Sequence, residues 1–330
     1  MHRRAVLAGL GALPLGAISH RASTAETKPA TLAFARGDVV VGCTVLNDPK
    51  DDHRGRGRIL HYDADLRLKS TIWLDDTTHI VQGLKFSPDR TLWAFDSFAY
   101  KIARFAPDGR RLANFKAPLR PFGHITFAED GRFFLGENFV GEKSRVPLGT
   151  TLPFMPSTRR FGDGHLFEFS RAGKLIREHP TPVHGGMGGF QGLTSSTIAP
   201  DGRTLIYTSE SGPRIMRWDL VAQKSLPDLV IAPETAGRIF FDVRFDEAGR
   251  LLVVNGRGID AVDDAGRLIR TYSFGSFGWA SLGTPRGGYV YASNFFSGEL
   301  ACLDLASGEI VVRAQTGIRK SASGIDSFPG

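Results

Sequence analysis

"GLKFSPDRTLWAFDSFAYKIARFAPDGRRL", residues 83–112, reads as four short β-segments joined by turns. Gly83-Leu84-Lys85-Phe86 opens an alternating run, and Ser87-Pro88-Asp89-Arg90 turns the chain into Leu92–Phe95. Asp96 ends that second run, a third covers Lys101–Phe105, and Pro107-Asp108-Gly109 leads into the last. Runs of four to six residues rich in Val, Ile, Leu and Phe, bounded by Gly, Pro, Asp and Ser, are strands. Outside the first 25 residues no window places apolar residues at i, i+3, i+4 and i+7 over three turns, which argues against a doubly wound α/β fold.

The phrase repeats. It returns in "GHITFAEDGRFFLGENF", "QGLTSSTIAPDGRTLIYTSESGPRIMRWDL", "FDVRFDEAGRLLVVNGRGIDAVDDAGRLIRTYSF" and "ASLGTPRGGYVYASNFFSGELACLDLASGEIVVRAQT". Its aliphatic marker falls at Leu84, Ile125, Leu193, Val243 and Leu282, with spacings of 41, 68, 50 and 39. A degenerate first unit starts near Leu32, and "SGIDSFPG" at the C-terminus repeats only the opening, at Ile325. Units of about 40 residues holding four strands are propeller blades. The expectation is an all-β, six-bladed β-propeller of four-stranded blades, its ring closed by the terminal strand within the first blade. Seven blades would require a degenerate one hidden in the longest unit.

Residues 1–25 read as an export signal. Met1-His2-Arg3-Arg4 is basic, Ala5–Ser19 is apolar, and Ser23-Thr24-Ala25 has the small residues of a cleavage site. Arg3-Arg4 is twin-arginine-like, with the general secretory route as the alternative. The apolar run is short of the about 20 residues that span a bilayer, and no later stretch approaches that length. Residues 26–330 are therefore expected to be a single soluble propeller domain, monomeric, periplasmic or secreted, with no membrane contact after signal removal.

The chain has 41 Lys and Arg against 34 Asp and Glu, but the basic residues are scattered through turns such as "DGRR" and "AGKL". Without a basic stripe no nucleic-acid partner is expected. The only cysteines, Cys43 and Cys302, lie in the first and last units. A disulfide and two packed free thiols both fit that placement. There is no Cys-x-x-Cys zinc spacing, no P-loop and no Gly-x-Ser-x-Gly elbow.

These motifs resemble six-bladed propellers of the NHL-repeat type and, more loosely, the gluconolactonase and senescence-marker-protein family. The resemblance covers essentially all of residues 26–330. It implies a site at one mouth of the central channel, where the residue before each marker pair and the turn after each second strand both open. The first set is Gln82, Gly123, Gln191, Phe241, Ala280 and Ser323. In the gluconolactonase-like family this register supplies much of a cage for a divalent cation. Here it offers two amides, one hydroxyl and no carboxylate, whereas calcium takes about six to eight oxygens. The family's metal site is thus not matched.

One register further lie His124 and Asp242. Bulges at "FGHI" and "FFDV" would turn both into the channel beside Gln82 and Gln191. His79 and His184 stand on loops entering the same mouth. His79, His124, His184 and Asp242 are the candidate ligands of one divalent cation, and His124 is a candidate general base. The competing reading for each histidine is a hydrogen bond to a backbone carbonyl.

The second set is Asp96, Glu137, Ser209, Asn255 and Asn294. Short polar residues there cap turns. Glu137 is longer, and it precedes the longest insertion, "NFVGEKSRVPLGTTLPFMPSTRRFGDGH", residues 138–165. Glu137 to Leu166 takes 29 positions, against 6 from Asp96 to Ile102. With Leu148, Leu152, Phe154, Met155 and Phe161 this insertion reads as a lid, and "VLNDPKDDHRGRGR", 45–58, is a second long turn on that face.

The leading expectation is an exported enzyme of the lactonase or esterase kind acting on a small molecule. His124 and Glu137 would be catalytic, with His79, Gln82, Arg120, Gln191, Asp242 and Trp279 binding substrate. One alternative is a non-catalytic propeller in which Phe122, Phe190, Phe240, Phe241, Phe277 and Trp279 line a pocket for an apolar small molecule or peptide. Another is a lyase resembling streptogramin B lyases, which use a histidine at a strand start and a glutamate at the next strand end. "GHITFAEDGRFFLGE" departs from that pattern by one residue, and one residue reverses side-chain direction in a regular strand.

Overall fold

A computed structural model describes residues 33–330 apart from 78–80, 139, 141–161, 184–191, 210, 211 and 234–237, with the backbone alone at 51–54. Among the described residues there is no helix. Twenty-four strands form six antiparallel sheets of four, arranged as the blades of a propeller. The innermost strands are β4 (Gln82–Phe86), β8 (Phe122–Phe127), β12 (Leu193–Ile198), β16 (Val243–Phe245) and β20 (Trp279–Leu282), opening blades 2 to 6.

Blade 1 joins both ends of the chain. Its innermost strand is β24 (Gly324–Ser327), followed by β1 (Val39–Asp48), β2 (Asp51–Tyr62) and β3 (Leu68–Leu74). β24 pairs with β1 antiparallel from Val39↔Ser327 to Gly42↔Gly324. The first unit therefore lacks an opening strand because the C-terminal half-repeat supplies it. Beyond Gly42 the two following strands continue as a hairpin arm, paired as far as Asp48↔Asp51. That arm is the ordered form of the long turn at 45–58.

Burial falls off along each blade. The second strand of blade 5, β17 (Leu251–Val254), is buried throughout, whereas its outermost strand, β19 (Leu268–Ser273), exposes five of six residues. Much of the phenylalanine excess sits between blades. Phe133 and Phe169 stack at 5.1 Å, with Trp93 and Phe115 packed against Phe133.

A bulge interrupts the innermost strand near its start in blades 2, 3, 4 and 6, between Gln82 and Lys85, Phe122 and His124, Leu193 and Ser195, and Trp279 and Ser281. In blade 5 Val254 accepts from the Phe241 amide and donates to the Asp242 carbonyl, again two residues against one. The repeated bulge re-aims the residues that follow it toward the next blade or the channel. Gly83, at φ 61°, is one consequence: a side chain there would meet the Gly123 carbonyl oxygen at 2.1 Å.

Polar side chains at these bulges tie every neighbouring pair of blades. The Ser97 hydroxyl donates to the Phe122 carbonyl at 3.0 Å, and that of Thr126 to the Ser196 carbonyl at 2.8 Å. Asp242 accepts from the Ser195 hydroxyl at 2.5 Å and from the Leu282 amide at 2.8 Å, linking blades 4, 5 and 6. Asp326 accepts from the Thr284 amide at 2.8 Å and the Phe86 amide at 2.7 Å, linking blades 6, 1 and 2.

Candidate functional site at the channel and its mouth

At the ends of the second strands, short side chains cap turns. Asp96 accepts from the amides of Phe98 and Ala99, Asn255 from that of Arg257, and Asn294 from those of Phe296 and Ser297. Glu137, at the end of β9 (Phe133–Glu137), does the same across the insertion. Its Oε2 accepts from the Asp163 amide at 2.8 Å and the His165 amide at 2.9 Å, and Oε1 lies 3.3 Å from Arg120 Nη1. The side chain is fully buried. Burial pushes its carboxyl above the usual range, against the pull of those two amides and of Arg120.

His124 belongs to the other face of the same sheet. It pairs with Gly136, whereas Glu137 pairs with Phe122, and adjacent residues of β9 point to opposite sides. The imidazole lies against Gly136, where a Cβ would sit 2.0 Å from its Cε1. Nε2 meets the Ser196 hydroxyl at 2.9 Å, and Nδ1 has no hydrogen-bond partner. Burial first, then the charges of Arg244 and Lys85, lower its pKa to about 3. The ring is neutral near pH 7. The structure therefore does not bring His124 and Glu137 together.

The other expected site residues are dispersed. Gln82 donates to Ser97 within blade 2, and the Ser97 hydroxyl in turn reaches the Phe122 carbonyl of blade 3. Asp242 is consumed by its ties, which include Arg244 Nη1 at 2.6 Å. Trp279 is fully buried, edge-on to Phe274 at 4.5 Å. Arg120 covers the Phe167 ring at 5.6 Å, beside Glu137. His79, His184, Phe190 and Gln191 lie outside the described residues, as does 141–161 of the insertion; Phe122 and Phe240 are buried in blade cores. Cys43 and Cys302 are buried free thiols, with no disulfide between them.

Two features were missed in the sequence. Asp163, His165 and Glu178 offer ligand-type atoms all within 4.8 Å of one another, at the foot of the insertion. Arg120 stands 3.9 Å from Asp163 and opposes a cation there. The second feature is Lys85, in blade 2. Lys85 is half-buried on the innermost strand of its blade. Burial, then Arg244, pull its pKa down to about 7, with Asp326 and Asp242 opposing and Arg286 adding to the fall. Blades 2 and 5 stand opposite in a six-membered ring, so Lys85 and Arg244 sense each other across the channel.

At the mouth, the turns of blades 5 and 6 gather phenylalanines. Phe277 and Phe296 are each 43% exposed and stack at 5.9 Å with 25° between planes. Phe295 meets Phe296 edge-on at 5.3 Å, and the Arg257 guanidinium lies 5.9 Å from the Phe277 ring. Gly256 leaves room for Phe277 and Phe241, whose ring carbons would lie 2.9 and 3.3 Å from a Cβ there.

Fold and site together define a six-bladed β-propeller with a polar channel and an aromatic mouth. No protein-family model matches the chain, and no curated protein does. Similar solved structures include a chain of a nidogen/laminin complex, with a TM-score of 0.62 and 12% identity over 88% of this chain and 98% of that one. Virginiamycin B lyase from Staphylococcus aureus gives 0.52 and 14%, over 87% and 92%. A protein of unknown function from Bacteroides caccae gives 0.59 and 15%, over 90% and 100%. At such identities the likeness is one of fold.

Proposed function

We propose that this chain is a binding propeller that takes a small molecule bearing an aromatic or other apolar group at the mouth formed by blades 5 and 6. The carrying observation is the stacked pair Phe277 and Phe296, left 43% exposed where packing could have covered them. Exposed aromatic clusters mark recognition surfaces, and a ring sliding between or over these two gains burial plus stacking. We further propose, from the basic start and apolar run of residues 1–25, that the chain is exported.

The lactonase, esterase and lyase readings need a base that meets a substrate. His124 and Glu137 are both buried and face opposite sides of their sheet, which favours the binding reading. A catalytically inactive virginiamycin B lyase is known with quinupristin; its likeness to this chain extends to the fold.

A panel of aromatic small molecules, with apolar peptides as a second arm, followed by thermal shift and calorimetry, tests the proposal. Phe277→Ser with Phe296→Ser should abolish binding at an unchanged melting temperature. Equal binding by the double variant, or turnover of a bound lactone or ester, would overturn it.

A further inference from the structure

We infer that the central channel is a second binding site, for a small oxyanion such as a carboxylate or phosphate, received by Lys85 with Arg244 and Arg286 around it. The residue after the aliphatic marker is Lys85 in blade 2, Arg244 in blade 5 and Asp326 in blade 1, each on the innermost strand of its blade. With Asp242 from blade 5 and Arg286 from blade 6, three cations face two carboxylates.

Both carboxylates are already occupied. Asp242 Oδ1 takes Arg244 Nη1 at 2.6 Å, the Ser195 hydroxyl and the Val243 amide, while Oδ2 takes the Leu282 amide. Asp326 spends one oxygen on the Thr284 amide and the other on the Phe86 amide. Among the described residues Lys85 Nζ has no hydrogen bond or ion pair, and the buried Nε of Arg244 has no acceptor. A half-buried ammonium with guanidinium groups for neighbours is costly without a counter-ion. It can shed its proton, which is why its pKa sits at about 7, or gain an anion. His124, which feels the charges of both Arg244 and Lys85, is neutral near pH 7 and supplies no countercharge.

The site shares no residue with the aromatic mouth, so either can fail alone. The test uses the full chain in a buffer of neutral and cationic components at pH 7, with lysine acylation followed by mass spectrometry. Without anion, Lys85 should acylate faster than surface lysines. Inorganic phosphate in one arm, or acetate and malonate in the other, should slow it about tenfold by raising its pKa, and the arm that protects identifies the chemistry. Lys85→Met should lose the calorimetric signal of that anion. Acylation unchanged by either anion at about 10 mM, or binding by Lys85→Met equal to wild type, would overturn the inference. Should the variant fail to fold, the wild-type protection experiment decides alone.

Discussion

Glu137 accepts a hydrogen bond from the backbone amide of His165 at 2.9 Å, a contact that spans 28 residues of sequence. Together with the Asp163 amide it makes Glu137 the long-armed counterpart of Asp96 and Asn294, which cap their turns within three residues. The longer side chain is needed because the amides it caps lie at the far end of the insertion. Val140 and Asp163 form a bridge that pinches the same root.

Glu137→Ala is therefore expected to strand two amides. Each buried group left without a partner costs about 1–3 kcal/mol, so urea unfolding should register a loss of about 2–5 kcal/mol. Ligand binding at Phe277 and Phe296 should survive where the variant is folded. An unaltered unfolding midpoint would return Glu137 to the list of residues free to do chemistry.

The architecture was legible because each blade repeats one phrase. Leu84, Ile125, Leu193, Val243, Leu282 and Ile325 are all buried, and the C-terminal "SGIDSF" pairs where the half-repeat required. Side-chain direction was only partly legible: the bulges expected at "FGHI" and "FFDV" are present, but where the side chain beyond each one points is set by its packing on the next blade. His124 thus reaches Ser196 on the next blade. Lys85 and Arg244 escaped notice as the variable residue in Gly-aliphatic-x-Phe, the one position where a signal existed: Lys, Thr, Thr, Arg, Gly and Asp in six successive units are not a core pattern. The aromatic mouth was partly foreseen through Phe241 and Phe277. Phe295 and Phe296 read as ordinary strand-end aromatics.

His124 should make the protein acid-sensitive. Its pKa is 6.5 when free and about 3 in the fold. Above the first value neither state holds the proton; between the two only the unfolded chain does, so stability falls as the pH drops through that window. The slope is up to about 1.4 kcal/mol per pH unit. His124→Gln keeps a polar partner for Ser196 and does not titrate. Comparing denaturant unfolding at pH 7 and pH 4, wild type should lose up to about 3 kcal/mol more than the variant. Parallel losses would mean that the imidazole is not held neutral.

The two thiols should be silent in the native protein. Cys43 Sγ accepts from Arg58 Nε at 3.2 Å inside the blade, and burial pushes Cys302 up to about 11. Thiolate is the reactive form, so a thiol reagent at pH 8 should label neither residue until denaturant is added, and then both, without any reductant. Labelling of neither after unfolding would reveal a disulfide.

Asp326 closes the ring, and its loss should be felt on three blades. The carboxylate sits on β24, holds the Phe86 amide of blade 2 with one oxygen and the Thr284 amide of blade 6 with the other, and is fully buried. Asp326→Ala strands both amides and should cost about 2–5 kcal/mol. Deleting residues 323–330 goes further, since blade 1 then exposes the β1 edge that β24 covers from Val39 to Gly42. An exposed inner edge bonds to whatever strand is offered. The truncated chain should unfold at a lower temperature with reduced cooperativity, and a synthetic peptide of residues 322–330 added in trans should raise its midpoint. A truncated protein as stable as the full chain would show that the ring does not depend on its last strand.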